Sequence, residues 1–260
     1  MYPQGVCRIR KPAYAGNGCA IFPIFQTAAW EQKIRCPAAD DLFRGSLVSI
    51  GGKTVARTDN YLKQAAQAKA YFLTYDQEAL IRKLNLAHDE DYLYPVFFSQ
   101  TYRLSRKTGD LARQGKHGWE DANTHGEVMT LLDLICDSRE DRFVSGKWKD
   151  MAQFGHTFHQ NLLEERDPLA EACQKKPQVF RRRCAALGGK PMPAGDIAYS
   201  IEVFDGLPLM IQLWFGDEDF PARARLLWDE NALMYLKYET MYFAREVLLS
   251  RLKREMEESA

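Results

Sequence analysis

No C-x-x-C pair occurs in this sequence, although it holds six cysteines, Cys7, Cys19, Cys36, Cys136, Cys173 and Cys184. That spacing excludes a zinc ribbon and a bacterial-type iron-sulfur ligand run, both of which need closely paired thiolates. An excess of charge of either sign is also missing, since 35 Lys and Arg balance 35 Asp and Glu. No long-range field favours nucleic acid, an anionic membrane or an acidic substrate, so a general nucleic-acid binder is not expected. Long apolar runs are absent too. Leu207 to Phe215 and Val96 to Phe98 fall far short of the roughly 20 residues that cross a bilayer. Pro23 interrupts the short run Ala20 to Phe25 behind Arg8, Arg10 and Lys11, which argues against a signal peptide. The expectation is a cytoplasmic protein with no membrane association, whose cysteines stay reduced. Cys136, in the apolar run Met129 to Cys136, and Cys184, in a helical pattern, read as small buried hydrophobes.

Familiar catalytic signatures are missing as well. There is no Gly-x-Ser-x-Gly elbow and no dinucleotide fingerprint. Gly52-Lys53-Thr54 resembles the end of a phosphate-binding loop, but that pattern requires glycine where Leu47 stands.

What is present suffices for a substantial core: 260 residues, 46% hydrophobic and 12% aromatic. The first 55 residues hold half of the cysteines and little helical or strand periodicity. They read as a poorly structured extension, followed by a single domain over 56–260. Asp59 is a candidate N-cap, with Leu62, Ala65, Ala66, Ala70 and Leu73 at helical spacing behind it. Asp76 can cap a second helix with Leu80, Ile81 and Leu84 on its apolar stripe. Tyr92 to Leu104, rich in aromatic and β-branched residues, reads as strands in a hairpin. Asn123 or Thr124 opens a helix through Val128, Leu131, Leu132 and Ile135, and further helices begin at Asp167-Pro168 and near Gln178, the latter ending at Gly188-Gly189. Ile197 to Phe204 and Leu207 to Phe215 flank Asp205-Gly206, a tight-hairpin dipeptide, with Pro208 marking an irregular entry. Ala224 to Trp228 completes a meander. The last helix, about Tyr238 to Glu257, carries Met241, Ala244, Val247, Leu248 and Leu252 on one face and is expected to pack across that sheet. The fold class is therefore α+β, an antiparallel sheet made of the meander 196–229 and the hairpin 92–105, covered by helices.

Several of these segments carry a resemblance. Leu187-Gly188-Gly189-Lys190-Pro191, Gly195-Asp196, Leu207-Pro208-Leu209, Leu213-Trp214-Phe215-Gly216-Asp217-Glu218-Asp219-Phe220-Pro221 and Leu227-Trp228-Asp229 resemble the bacterial and archaeal domain of unknown function family 3786 in order and spacing. Ser145-Gly146-Lys147-Trp148 and Tyr102-Arg103-Leu104-Ser105 are similar to it too, so the likeness covers roughly 59–260. The resemblance implies no established activity. It implies an association with anaerobes and, in some relatives, with an adjoining iron-sulfur or corrinoid-protein segment whose cysteine spacing this chain lacks. Relatives look as if they begin near Asp59, which makes Val55 or a nearby codon an expected natural start.

The acidic stretch Asp217, Glu218 and Asp219, with Asp196 and Asp229 as neighbours on the same sheet edge, is the foremost candidate site. Clustered carboxylates can hold Ca²⁺ or Mg²⁺, or divide into general acid and base, whereas carboxylates beside Gly and Pro commonly serve only solvated turns. Trp148, Trp214 and Trp228, with Phe215 and Phe220, can line a pocket for a flat ligand or simply fill the core. His156 and His159, with Cys173 or Glu164, are too few and wrongly spaced for a zinc signature. Arg181-Arg182-Arg183 point in different directions on a helix and read as a solvated face. Two functions remain open. One is a non-catalytic binding or accessory module of anaerobic metabolism that meets a partner protein, a cofactor or a cofactor-bearing protein through Trp148, Asp196, Trp214, Asp217, Glu218, Phe220 and Asp229. The other is a small metal-dependent enzyme using Asp196, Asp217, Glu218 and Asp229, which requires those carboxylates to converge.

Overall fold

The computed structural model describes residues 55–154 and 167–257. The extension 1–54, with Cys7, Cys19, Cys36, Gly52-Lys53-Thr54 and the question of a later start, lies outside the described residues, as do His156, His159 and Glu164.

The chain forms six α-helices and eleven strands over the described residues. Helix α1 (Val55–Phe72) begins a turn before Asp59, which therefore lies inside it. In α2 (Gln77–Leu84), Asp76 is the N-cap, its carboxylate accepting from the Glu78 and Ala79 amides at 3.0 and 3.1 Å. The aromatic stretch then builds β1 (Ala87–His88), β2 (Tyr92–Tyr94), β3 (Val96–Phe97) and β4 (Gln100–Ser105). Two strands without apolar alternation, β5 (Leu111–Gly115) and β6 (Gly118–Asp121), extend this N-terminal sheet in the order β1-β2-β4-β5-β6, with β3 also on β4.

Thr124 caps α3 (His125–Asp137), and Asp167 caps α4 (Pro168–Lys175) by accepting from Ala170 N at 3.0 Å, with Pro168 in the first turn. Helix α5 (Pro177–Ala186) ends where Gly188 turns left-handed at φ 71°. The C-terminal sheet runs β7-β11-β10-β9-β8, all antiparallel, from β7 (Trp148–Lys149), β8 (Lys190–Pro191), β9 (Ile197–Phe204), β10 (Leu207–Trp214) and β11 (Arg223–Asp229). Asp205 and Gly206, at φ 48° and 80°, make the tight turn between β9 and β10, and the register slips at Leu207/Pro208 as the proline suggested.

The architecture is thus antiparallel α+β, with hairpin and meander in two sheets rather than one. The Phe98 amide ties them together, donating to Val203 O at 3.0 Å. Helix α6 (Tyr238–Glu257) packs against α3 and α5 instead of across the meander, because α4 and α5 already cover β9, β10 and β11. Its buried Met241, Ala244, Leu248, Leu249 and Leu252 join one core with Leu131, Ile135, Phe180 and Trp228. No helix among the described residues is long and apolar enough to cross a membrane.

Candidate functional site

Strand β10 ends at Trp214 and β11 begins at Arg223, so the acidic stretch is the connection between them. Its backbone is held on every side. The Asp217 carboxylate accepts from the Asp219 and Phe220 amides at 2.9 and 2.8 Å, while Asp217 N–H donates to Phe220 O at 2.9 Å. Asp196 accepts from Phe215 N at 2.7 Å, and Gln174 of α4 brackets Gly216, accepting from its amide at 2.8 Å and donating to its carbonyl at 3.2 Å. At the other end of α4, Asp167 accepts from Ala224 N at 2.9 Å. Gly216 is required here, since a Cβ would lie 2.5 Å from Ala222 N. The result is a rigid turn that carries Trp214 and Phe215, each 38% exposed, and Phe220, 71% exposed, into solvent. Glu218 and Asp219 are exposed beside them, and no cation among the described residues pairs with either.

Asp229 lies elsewhere. Trp214 pairs with Arg223 and Asp229 with Trp148, so these residues occupy opposite ends of β11. At about 3.3 Å per residue, the six steps from Arg223 to Asp229 separate them by roughly 20 Å. Asp229 is 1% exposed, and its oxygens are engaged by Ser145 N and Oγ at 3.1 Å, Gly146 N at 2.7 Å and Asn231 N at 2.9 Å. This carboxylate pins the Ser145-Gly146 turn beside β7 and has no open face for a ligand. Trp148 is half-buried next to it and Trp228 fully buried, so the tryptophans do not line one pocket.

The structure therefore brings together Asp196, Trp214, Asp217, Glu218 and Phe220, and sets Trp148 and Asp229 apart. Among the described residues, no group of three or more His, Cys, Asp and Glu side chains is placed to hold a metal ion. The required convergence of Asp196, Asp217, Glu218 and Asp229 does not occur.

A second concentration of charge, not foreseen from sequence, surrounds Glu127 of α3. This carboxylate is buried, and it accepts from Tyr102 OH at 2.7 Å, Thr124 Oγ1 at 2.8 Å and Arg113 Nη1 at 3.3 Å, with Arg251 Nη2 at 3.9 Å. Burial pushes the Tyr102 phenol well above its ordinary pKa, so it remains a proton donor to Glu127. The Arg251 guanidinium lies 5.4, 5.5 and 5.8 Å from the ring centres of Phe97, Phe98 and Tyr102, and it donates to Tyr102 OH and, at 3.3 Å, to Phe97 O. The participants come from β4, β5, α3 and α6, far apart in sequence; the one local signal was Thr124 three residues before Glu127.

No curated protein and no solved structure matches the chain. The family model described as domain of unknown function (DUF3786) matches residues 76–251, more than half of the sequence and including both regions just described. The chain belongs to the DUF3786 family.

Proposed function

We propose that the chain is a non-catalytic binding module, an accessory protein of anaerobic cytoplasmic metabolism that docks a basic, cofactor-bearing protein through the β10–β11 connection. One observation carries the reading: Trp214, Phe215 and Phe220 stand in solvent on a backbone whose hydrogen bonds are already made. Exposed aromatics on a slack loop can fold back onto the core, whereas these are held outward. Large, pre-ordered aromatic side chains are the residues that dominate binding energy when a partner removes them from water. Glu218 and Asp219 add negative charge beside the aromatics and favour a partner surface bearing Lys or Arg. The buried cysteines Cys136, Cys173 and Cys184 suit a reducing compartment. The metal-dependent alternative draws no support from Asp229, whose hydrogen bonds hold the Ser145-Gly146 turn.

A photo-crosslinking side chain at Phe220, introduced into the full chain in its own cells, tests the reading. A discrete protein adduct is expected from position 220, absent when the crosslinker replaces the exposed Phe143, and weakened by Glu218→Lys with Asp219→Lys. No adduct at 220, or adducts indifferent to position and charge, would contradict it.

A further inference from the structure

The N-terminal sheet turns one face to the core and the other outward. Leu93, Tyr102, Leu104 and Leu111 point inward and are buried, whereas Tyr92 and Tyr94 of β2, Arg103 of β4 and Trp119 of β6 point the other way. On this outer face the Arg103 guanidinium lies between two rings, 5.0 Å from the centre of Tyr92 and 4.9 Å from that of Trp119, and Tyr94 closes on Trp119 at 6.1 Å. Trp119 remains 38% exposed. We propose that this face is a self-complementary docking surface, on which a second copy of the chain lies face to face about a two-fold axis running along β5.

Composition is the first argument. Trp, Tyr and Arg are the residues that carry most binding energy at protein interfaces, and here Tyr92, Tyr94, Arg103 and Trp119 gather on one sheet face. None of them belongs to the buried core, so core packing does not account for the cluster. They are ordered before any partner arrives, since each ring meets Arg103 or another ring and the Tyr94 hydroxyl donates to Asp89 at 2.6 Å.

Register is the second argument. Arg103 pairs with Ala112 and Ala112 with Asp121, so the three lie in one row across β4, β5 and β6. Within one copy the two charges do not meet. Arg103 is held by its rings, and the exposed Asp121 accepts from Asn123 Nδ2 at 2.6 Å, with no cation paired to it and no carboxylate paired to Arg103 among the described residues. A two-fold axis along β5 exchanges the places of β4 and β6, which sets each Arg103 opposite Asp121 of the partner subunit and makes two ion pairs at once. Opposite charges placed in this way fix the register of the two faces. Trp119 reaches from β6 across β5 to Arg103, so its ring lies over the axis, where it meets its mate. A face of the strands β1-β2-β4-β5-β6, at about 4.8 Å per strand and roughly 17 Å long, offers at most about 400 Å² per copy, which places the pair among weak, reversible associations.

Sedimentation equilibrium of the full chain, from about 5 µM to about 500 µM, tests the proposal. The mass is expected to rise from that of the monomer toward twice that value. Arg103→Glu alone and Asp121→Arg alone should each weaken the association about tenfold or more, and an equimolar mixture of the two should restore it, because in the mixed pair the introduced charges face one another and one native pair is kept. Should Asp121→Arg fail to fold, Ala112→Glu decides: position 112 lies under the axis, so two carboxylates would oppose each other and the association should be lost. A monomeric mass throughout, a dimer that survives Arg103→Glu or Ala112→Glu, or two folded charge variants that do not recover when mixed overturns the proposal.

Discussion

Replacing Asp229 separates its structural role from that of a ligand. The side chain accepts from Ser145 N, Ser145 Oγ, Gly146 N and Asn231 N within 3.1 Å and is buried. Asp229→Ala leaves those donors without their acceptor. A buried donor left unsatisfied costs roughly 1–3 kcal/mol, but the Ser145 hydroxyl can rotate and the Gly146 amide can turn toward water, so a total of about 3–4 kcal/mol is expected. Asp229→Asn keeps one oxygen while its amide nitrogen opposes the other pair of donors, so its loss should be about 2 kcal/mol. Urea unfolding of the full chain at pH 7, followed by tryptophan fluorescence, measures both, since Trp148 is paired with Asp229 and Trp228 precedes it on β11. If Asp229→Ala stays within about 1 kcal/mol of the parent, the anchoring role is refuted, because no single one of these bonds would then be contributing its ordinary share.

Other consequences can be measured on the same chain. Gly188→Ala combines a positive φ with the Cβ clash against Ser99 and should cost about 2 kcal/mol in thermal unfolding, partly restored in a Ser99→Gly background; an unchanged Tm would contradict the packing described. Glu127→Ala strips Arg113 and Arg251 of their shared carboxylate and should lower stability by about 3–5 kcal/mol in urea, whereas a loss near zero would show that water reaches both cations freely. Burial pushes the Cys136 and Cys173 thiols up to about 12, and Cys184 is also raised, from an ordinary value of 9.0. Between those values the unfolded chain loses thiol protons that the folded chain keeps. Stability should therefore be fully present below pH 9 and decline as pH rises above it, by about 1.4 kcal/mol per pH unit for each thiol. Cys184→Ala should remove one thiol's share of the slope between pH 9 and 11, and an unchanged slope would rule out that contribution.

Local signals carried much of this fold. Asp76 reads as a cap and is one, the helix starts read at Asn123 or Thr124 and at Asp167-Pro168 are capped by Thr124 and Asp167, and Asp205-Gly206 reads as a tight turn and is one. Strands β5 and β6 escaped because Leu111–Gly115 and Gly118–Asp121 carry no apolar alternation, and every residue of β6 is exposed. Their register comes from pairing, β5 with β4 and β6 with β5, rather than from their own composition. The stripe on α6 was legible, but a stripe does not name its partner, which proved to be α3 and α5. Asp217 reads as a turn residue because the turn is local, whereas placing Asp229 far from Trp214 needs the register of β10 and β11.

Carbene footprinting of the full chain, performed once on purified protein and once in extract of its own cells prepared without oxygen, tests the proposed docking surface most directly. The account predicts that Trp214, Phe215 and Phe220 label strongly in the purified chain and are protected in the extract, while the exposed Phe143 and Leu233 label equally in both. Equal labelling of Trp214, Phe215 and Phe220 in the two samples would contradict the reading of the β10–β11 connection as the surface that meets a partner.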